Sequence, residues 1–157
     1  AIIEGIATYK GVKRRFEKIC TNERIIYIDD YAHHPEEIKA FLLSIKAMYP
    51  DKKVTAVFQP HLFTRTRDFA EGFSESLSIA DTVVLLDIYP ARELPIEGIT
   101  SEMLLPRITS PNKSVVDKEK LLSHLEQHKP EVLVTIGAGD IDRLVKPIEK
   151  WIKNDKA

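Results

Sequence analysis

A single cysteine, Cys20, leaves the chain no internal disulfide, and no partner stands at metal-site spacing, which suits a reducing compartment. Cys20 itself reads as a small apolar core residue. Long hydrophobic runs are missing as well: none approaches the ~20 residues that cross a bilayer. The opening AIIEGIATYKGVKRRFEKIC lacks the order of a signal peptide, so a cytoplasmic protein without a membrane partner is expected. Neither sign of charge dominates. The 23 Lys and Arg residues and 24 Asp and Glu residues are mixed along the sequence for a net charge of −1. That balance leaves no basic footprint for a nucleic-acid backbone. No internal repeat and no low-complexity tract occurs. With 43% hydrophobic and 30% charged residues, the composition is that of an ordinary folded domain, and 157 residues suffice for one real core. Ile2, Ile3 and Ile6 before Gly11 read as the end of a helix. With no initiating methionine, the expectation is a piece of a longer protein.

What is present is an alternation. Segments rich in branched residues, 24–28, 53–58, 82–86, 114–116 and 131–136, read as strands. Between the first two, Pro35 suits a first helical turn, Glu36 and Glu37 favour the positive end of the helix dipole, and Ile38, Phe41, Leu42 and Ile45 recur at helical spacing. Pro50 closes that helix. Phe69, Phe73 and Leu77 mark a second helix, and Leu121, Leu122 and Leu125 a third. Ile141, Leu144, Val145, Ile148 and Ile152 mark a last helix, kinked or broken at Pro147. The pattern predicts an α/β fold: a Rossmann-like, open, mostly parallel sheet with helices on both faces.

In such folds ligands bind beyond the carboxyl ends of the strands. The unusual polar clusters sit there: DDYAHHP after the first strand, FQPHLFTRTRD after the second, DIYPARELPIEG after the third and GAGD after the last. The opposite turns, AMYPDKK, SIAD and EQHKPE, are bland. Asp29 and Asp30 are neighbours in an extended segment, so only one faces the rim. For Asp30 the options are sugar hydroxyls, Mg²⁺, base chemistry or a structural cap on the turn. His33 and His34 are adjacent rather than a helical metal pair, and no metal site is expected. His61, Arg65 and Arg67 stand at the mouth of a helix, where arginine forks and backbone N–H groups suit an anion. Lys13, Arg14 and Arg15 form either a second anion contact or a basic turn. There is no G-x-S-x-G elbow, no G-x-x-x-x-G-K-[ST] loop and no H-E-x-x-H, and GAGDID lacks the unit that would follow it in a dinucleotide fold.

GVKRRFE, DDYAHHPEEI, VFQPHLFTRTRDF, DIYPARELPIEG and GAGDI together resemble, in order and spacing, the carboxy-terminal domain of the ATP-dependent Mur ligases of peptidoglycan synthesis. Within that family the second block favours the branch that joins L-alanine to UDP-N-acetylmuramate over the murein-peptide-recycling branch. The resemblance covers residues 1–157, with 1–14 as a remnant of the central domain's end and the linker. It implies a partner in the rest of the same polypeptide, an amino-terminal domain for the UDP-sugar and a central domain that holds most of the ATP and Mg²⁺. The implied reaction activates the muramoyl carboxylate as an acyl phosphate, and the isolated domain is expected to be inactive. It further implies that Arg15 reaches the nucleotide phosphates and Asp30 the ribose. Tyr31, His33, His61 and Arg65 then receive alanine, with Arg65 on its carboxylate. Leu62 departs from the arginine that many relatives carry after QPH. Asp87, Tyr89 and Glu93 fall on the same rim without an assigned role. Two other readings are open to a doubly wound domain: a receiver phosphorylated on Asp87, which the glycines 137 and 139 disfavour where a receiver places lysine, and a free-standing nucleotide-binding module.

Overall fold

The structure is a computed structural model that describes residues 12–155; the helix end expected over residues 1–11 lies outside them. Six strands form one sheet: β1 (Glu17–Thr21), β2 (Ile26–Asp30), β3 (Val54–Phe58), β4 (Thr82–Leu85), β5 (Asn112–Val115) and β6 (Val132–Ile136). Their order across the sheet is β1-β2-β6-β3-β4-β5. All neighbours are parallel except β1, which runs antiparallel to β2. Helices α1 (Pro35–Met48) and α3 (Ala70–Leu77) cover one face; α4 (Leu121–His128) and α5 (Asp142–Asn154) cover the other. A short helix α2 (Phe63–Asp68) leads into α3.

The two faces follow from the period of two along each strand. In β3, Val54, Ala56 and Phe58 enter the core beneath α1 and α3, while Val57 enters the core beneath α4 and α5. β3 and β6 are buried along their full length, as strands covered by helices on both sides must be. On α1 the apolar stripe Ile38, Phe41, Leu42 and Ile45 is buried, as its spacing requires.

Four sequence expectations are corrected. β1 was not anticipated: EKICT is short and half polar, and it stands as an antiparallel edge with a register shift between Lys18 and Cys20. The first predicted strand is displaced to Ile26–Asp30, which brings both aspartates inside the ladder. The single helix around Phe69, Phe73 and Leu77 is two helices, parted where Phe69 leaves helical geometry at φ −114°, ψ 20°. Of the two options at Pro147, the break is excluded, because the last helix runs through it as one element.

At the amino ends of the strands, the Asp81 carboxylate accepts from Val54 N at 2.7 Å and from Lys46 Nζ at 2.8 Å. Burial acts to raise this carboxyl, but these two donors outweigh it and hold the group below its ordinary range. A lowered folded value contributes stability that is present above the unfolded value and lost as pH falls through the folded one. We therefore expect acid unfolding of the chain to begin at lower pH in the wild type's favour: Asp81→Asn should lower the neutral-pH urea midpoint and narrow the gap to wild type as the solution is acidified. An unchanged gap across the acid range would remove Asp81 from this role.

Candidate functional site

Beyond the carboxyl ends of β2, β3 and β6 the ladder runs on by one residue. Gly137 N donates to Asp30 O, and Gln59 N donates to Ile136 O, each at 3.1 Å. Three loops are thereby tied edge to edge. The residues on them form the site.

After β2 the two aspartates part. Asp29 is buried, accepting from Thr135 Oγ1 at 2.6 Å and from Arg14 Nε at 3.0 Å. Burial pushes its carboxyl up, against the opposing pull of Thr135 and Arg14. Asp30 faces the rim, where Oδ1 accepts from Ala32 N at 2.8 Å and Oδ2 from Phe16 N at 2.7 Å. His34 then caps α1. Its Nδ1 accepts from Glu36 N, and Glu37 at the third helical position returns the favour, its Oε2 accepting from His33 N at 3.0 Å and His34 N at 3.1 Å. Burial works against ionised Glu37, but these donors and the two imidazoles overcome it and keep the carboxyl below its ordinary range. The His33 ring is held by the same turn, with Nδ1 3.0 Å from Tyr31 O and 3.6 Å from Glu37 Oε2.

After β3, the segment Pro60–Leu62 zips onto the loop after β4. Tyr89 N donates to Pro60 O at 2.8 Å, Leu62 N donates to Tyr89 O at 2.9 Å, and His61 and Tyr89 form an isolated parallel bridge. Leu62 pays for this geometry with φ 70°, a region costly for a branched side chain. Glu93, on the same loop, closes on the start of α2, accepting from Thr64 N at 3.0 Å and from the Thr64 hydroxyl. Arg65, one turn into α2, donates to His61 Nδ1 at 3.3 Å. Burial, then Arg65, then His33 lower the His61 imidazole below its ordinary range, which favours the neutral ring that can accept from Arg65.

These side chains make one continuous row. Arg14 lies 5.2 Å over the Tyr31 ring; the Tyr31 and His33 centroids are 5.3 Å apart, His33 and His61 6.3 Å, and His61 stacks on Tyr89 at 5.6 Å. Tyr31, His33, His61 and Arg65, singled out from the sequence, are thus brought together, with Asp30 at the end of β2 immediately before Tyr31. Arg15 is exposed beside Arg14, before β1. Arg67 is exposed and paired with Asp68.

Several residues of the site escaped sequence reasoning. Arg14, read only as part of a basic turn, also donates from a terminal nitrogen to Gly137 O at 2.6 Å and so fastens the chain before β1 across β2 and β6. Buried Gln59 donates to Asp140 Oδ1 at 2.7 Å and accepts from Ile141 N at 2.9 Å, while Lys118 Nζ donates to Asp140 Oδ2 at 2.6 Å. The glutamine of QPH and the aspartate of GAGD were the available signals. Gly139 packs tightly in this turn: a Cβ there would stand 2.5 Å from Gln59 Oε1 and 2.7 Å from Tyr89 Cβ. Gly139→Ala should therefore push Tyr89 off His61 and cost about 1–3 kcal/mol, as overpacking does; urea denaturation checks it, and a loss below about 0.5 kcal/mol would contradict the close fit.

A cavity of about 1000 Å³ opens at the amino ends of β2 and β6, between Ile25, Leu122, Pro130, Pro147 and Trp151, and its lining includes none of the rim residues. Among the described residues no group of His, Cys, Asp and Glu could hold a metal ion, and no helix is long and apolar enough to cross a membrane.

Comparison with known proteins decides the family. Residues 14–139 match the family described as "Mur ligase, glutamate ligase domain". The chain belongs to the Mur ligases. It is 53% identical over 155 residues to the UDP-N-acetylmuramate–L-alanine ligase of Flavobacterium johnsoniae, covering 99% of this chain and 34% of that protein. With the enzyme of the same name from Porphyromonas gingivalis it shares 51% over 150 residues, 95% of this chain and 33% of that protein. Among solved structures, the UDP-N-acetylmuramate-alanine ligase of Thermotoga maritima superposes with a TM-score of 0.77 at 26% identity, over 99% of this chain and 33% of that one. The chain thus spans about a third of the length of these Mur ligases. Family membership removes the receiver reading.

Proposed function

We propose that this chain is the carboxy-terminal domain of a ligase that joins L-alanine to UDP-N-acetylmuramate at the expense of ATP, and that its rim closes as one wall over ATP and alanine. The observation that carries this is the convergence of Asp30, Tyr31, His33, His61 and Arg65 on one edge of the sheet in a Mur ligase whose named relatives are alanine ligases. Arg65, reinforced by His61, presents a cationic fork to the alanine carboxylate. Asp30 would meet the ribose hydroxyls with lone pairs left over from its two backbone bonds, and exposed Arg15, the residue before the Phe16 that bonds Asp30, would reach the phosphates. Mg²⁺, offsetting phosphate charge, would be held mainly by the central domain that the family resemblance implies. The reaction proceeds through an acyl phosphate of the muramoyl carboxylate, attacked by the alanine amine.

The test is amide formation by the full-length protein from ATP, UDP-N-acetylmuramate and L-alanine, with cytoplasmic fractionation of the native protein alongside. Alanine-dependent ADP release is expected, and none from the 157-residue chain alone. Tight ATP binding by that isolated chain in calorimetry would favour a free-standing nucleotide module instead. In the full-length enzyme Asp30→Asn should raise the KM for ATP about tenfold while sparing that for alanine, as loss of a charge-assisted hydrogen bond predicts. A normal nucleotide KM would contradict the ribose contact.

A further inference from the structure

We propose that His33 takes the proton from the incoming amino group and that Glu37 is the positioning residue that holds it for this task; the proposal rests on the ligase reading above. An amino acid arrives as an ammonium, which has no lone pair to attack an acyl phosphate. Some group must accept a proton at the amine, and it must present a free lone pair beside the place where the carboxylate is held.

Hydrogen-bond chemistry fixes which ring nitrogen is which. His33 Nδ1 faces the Tyr31 carbonyl at 3.0 Å and the Glu37 carboxylate at 3.6 Å, both acceptors. Nδ1 therefore carries the hydrogen, and Nε2 carries the lone pair. In His61 the order is reversed. Its Nδ1 receives the Arg65 guanidinium at 3.3 Å; a guanidinium can only donate, so the hydrogen of the neutral ring is on Nε2. Two imidazoles 6.3 Å apart thus show opposite characters, one an acceptor and one a donor. Paired with Arg65, they sort the ends of an amino acid: carboxylate toward Arg65 and His61, ammonium toward His33.

The neighbouring groups are engaged otherwise. Both Asp30 oxygens take backbone N–H groups, and Asp29 is buried against Thr135 and Arg14. His34 spends Nδ1 on Glu36 N and packs its ring on Phe69 at 4.8 Å, and Glu93 is bound to Thr64. Glu37 is held toward His33 by the N–H groups of His33 and His34, which both donate to its Oε2. The helix-capping carboxylate therefore doubles as the group that fixes the His33 tautomer and faces the imidazolium once formed, as the aspartate of a catalytic triad does. In the step itself the C–N bond forms as the acyl C–O bond breaks, its electron pair leaving on the phosphate. Of the three ammonium protons, one stays on the amide, one goes to His33 Nε2 and one to the departing phosphate.

The experiment compares alanine with monofluoroalanine and trifluoroalanine, amines of falling basicity and similar size, in the full-length enzyme. His33→Asn keeps a donor for Tyr31 O and removes Nε2. It should lower kcat with alanine about a hundredfold, as loss of an acid–base group does, less with monofluoroalanine, and within about threefold with trifluoroalanine, which reaches the site already unprotonated. Glu37→Gln should lower alanine turnover about tenfold with the same grading. Equal losses for all substrates, read on two of the three if one is not turned over, would make His33 a mere contact and overturn the proposal. So would an unchanged kcat with alanine. If wild type forms no amide from alanine, it is the ligase reading that fails, and the two failures are separate.

Discussion

Asp29→Ala should destabilise the chain by about 3–5 kcal/mol, the range for breaking a buried ion pair by removing one partner. Asp29 is 1% exposed and its partner Arg14 19%, and the carboxylate is also the acceptor for Thr135 Oγ1, which in turn bonds Tyr27 OH at 3.0 Å. Alanine leaves a guanidinium without its counter-charge and a buried hydroxyl without its acceptor, over a small void. Asp29→Asn, which keeps the shape, should cost less, about 1–2 kcal/mol, because one acceptor survives. The sign with pH follows from the raised carboxyl: burial wins over Arg14, so the titration of Asp29 itself contributes stability that is present at acid pH and is withdrawn as pH rises through the folded value. Asp81 and Asp140, held below their range, behave oppositely. Urea unfolding of the chain at neutral pH reads the difference, and a loss below about 1 kcal/mol would mean that the pair is solvated and plays no structural part.

The same residues mark the border of what the sequence could tell. Alternation of branched and amphipathic segments marked five of six strands and both helical layers, most clearly at β3 and β6, where full burial leaves an unbroken apolar signature, and least at the half-polar edge β5. β1 left none: its five residues alternate only weakly, and its pairing is decided by β2. The break at Phe69 was hidden because Phe69, Phe73 and Leu77 keep helical spacing across it. At the rim, His33, His61 and Arg65 stood out by residue type and position at strand ends, Tyr31 was singled out only through the family resemblance, and the structure sets these side chains next to one another. Arg14 was not, because its partners Asp29 and Gly137 lie 15 and 123 residues away and its own backbone sits at φ 58°, which no local pattern announces. Glu93 was noticed without a role, which appears only when its loop is seen folded back onto Thr64.

On the proposed reading, Arg65→Ala in the full-length enzyme should weaken the use of alanine by about 2–4 kcal/mol in kcat/KM, the loss expected of a charge-assisted contact in a site that would close over its substrate. The departure at Leu62 sharpens the expectation. Where a second arginine would share the carboxylate, this chain offers an apolar side chain on a backbone turned to φ 70°, so on the proposed reading the contact would fall to Arg65 and to the His61 N–H that Arg65 orients. The loss should therefore be partly indirect: without the guanidinium, His61 is free to reverse its tautomer and offer the carboxylate a lone pair. Arg65→Lys, which keeps charge but not the fork, should recover less than half of the deficit. The KM for ATP should stay near its wild-type value, because Asp30 is anchored by Phe16 and Ala32 rather than by α2. Unchanged alanine kinetics in Arg65→Ala would take this residue out of the site, and a parallel rise in the KM for ATP would mean that α2 supports the whole rim rather than one end of the amino acid.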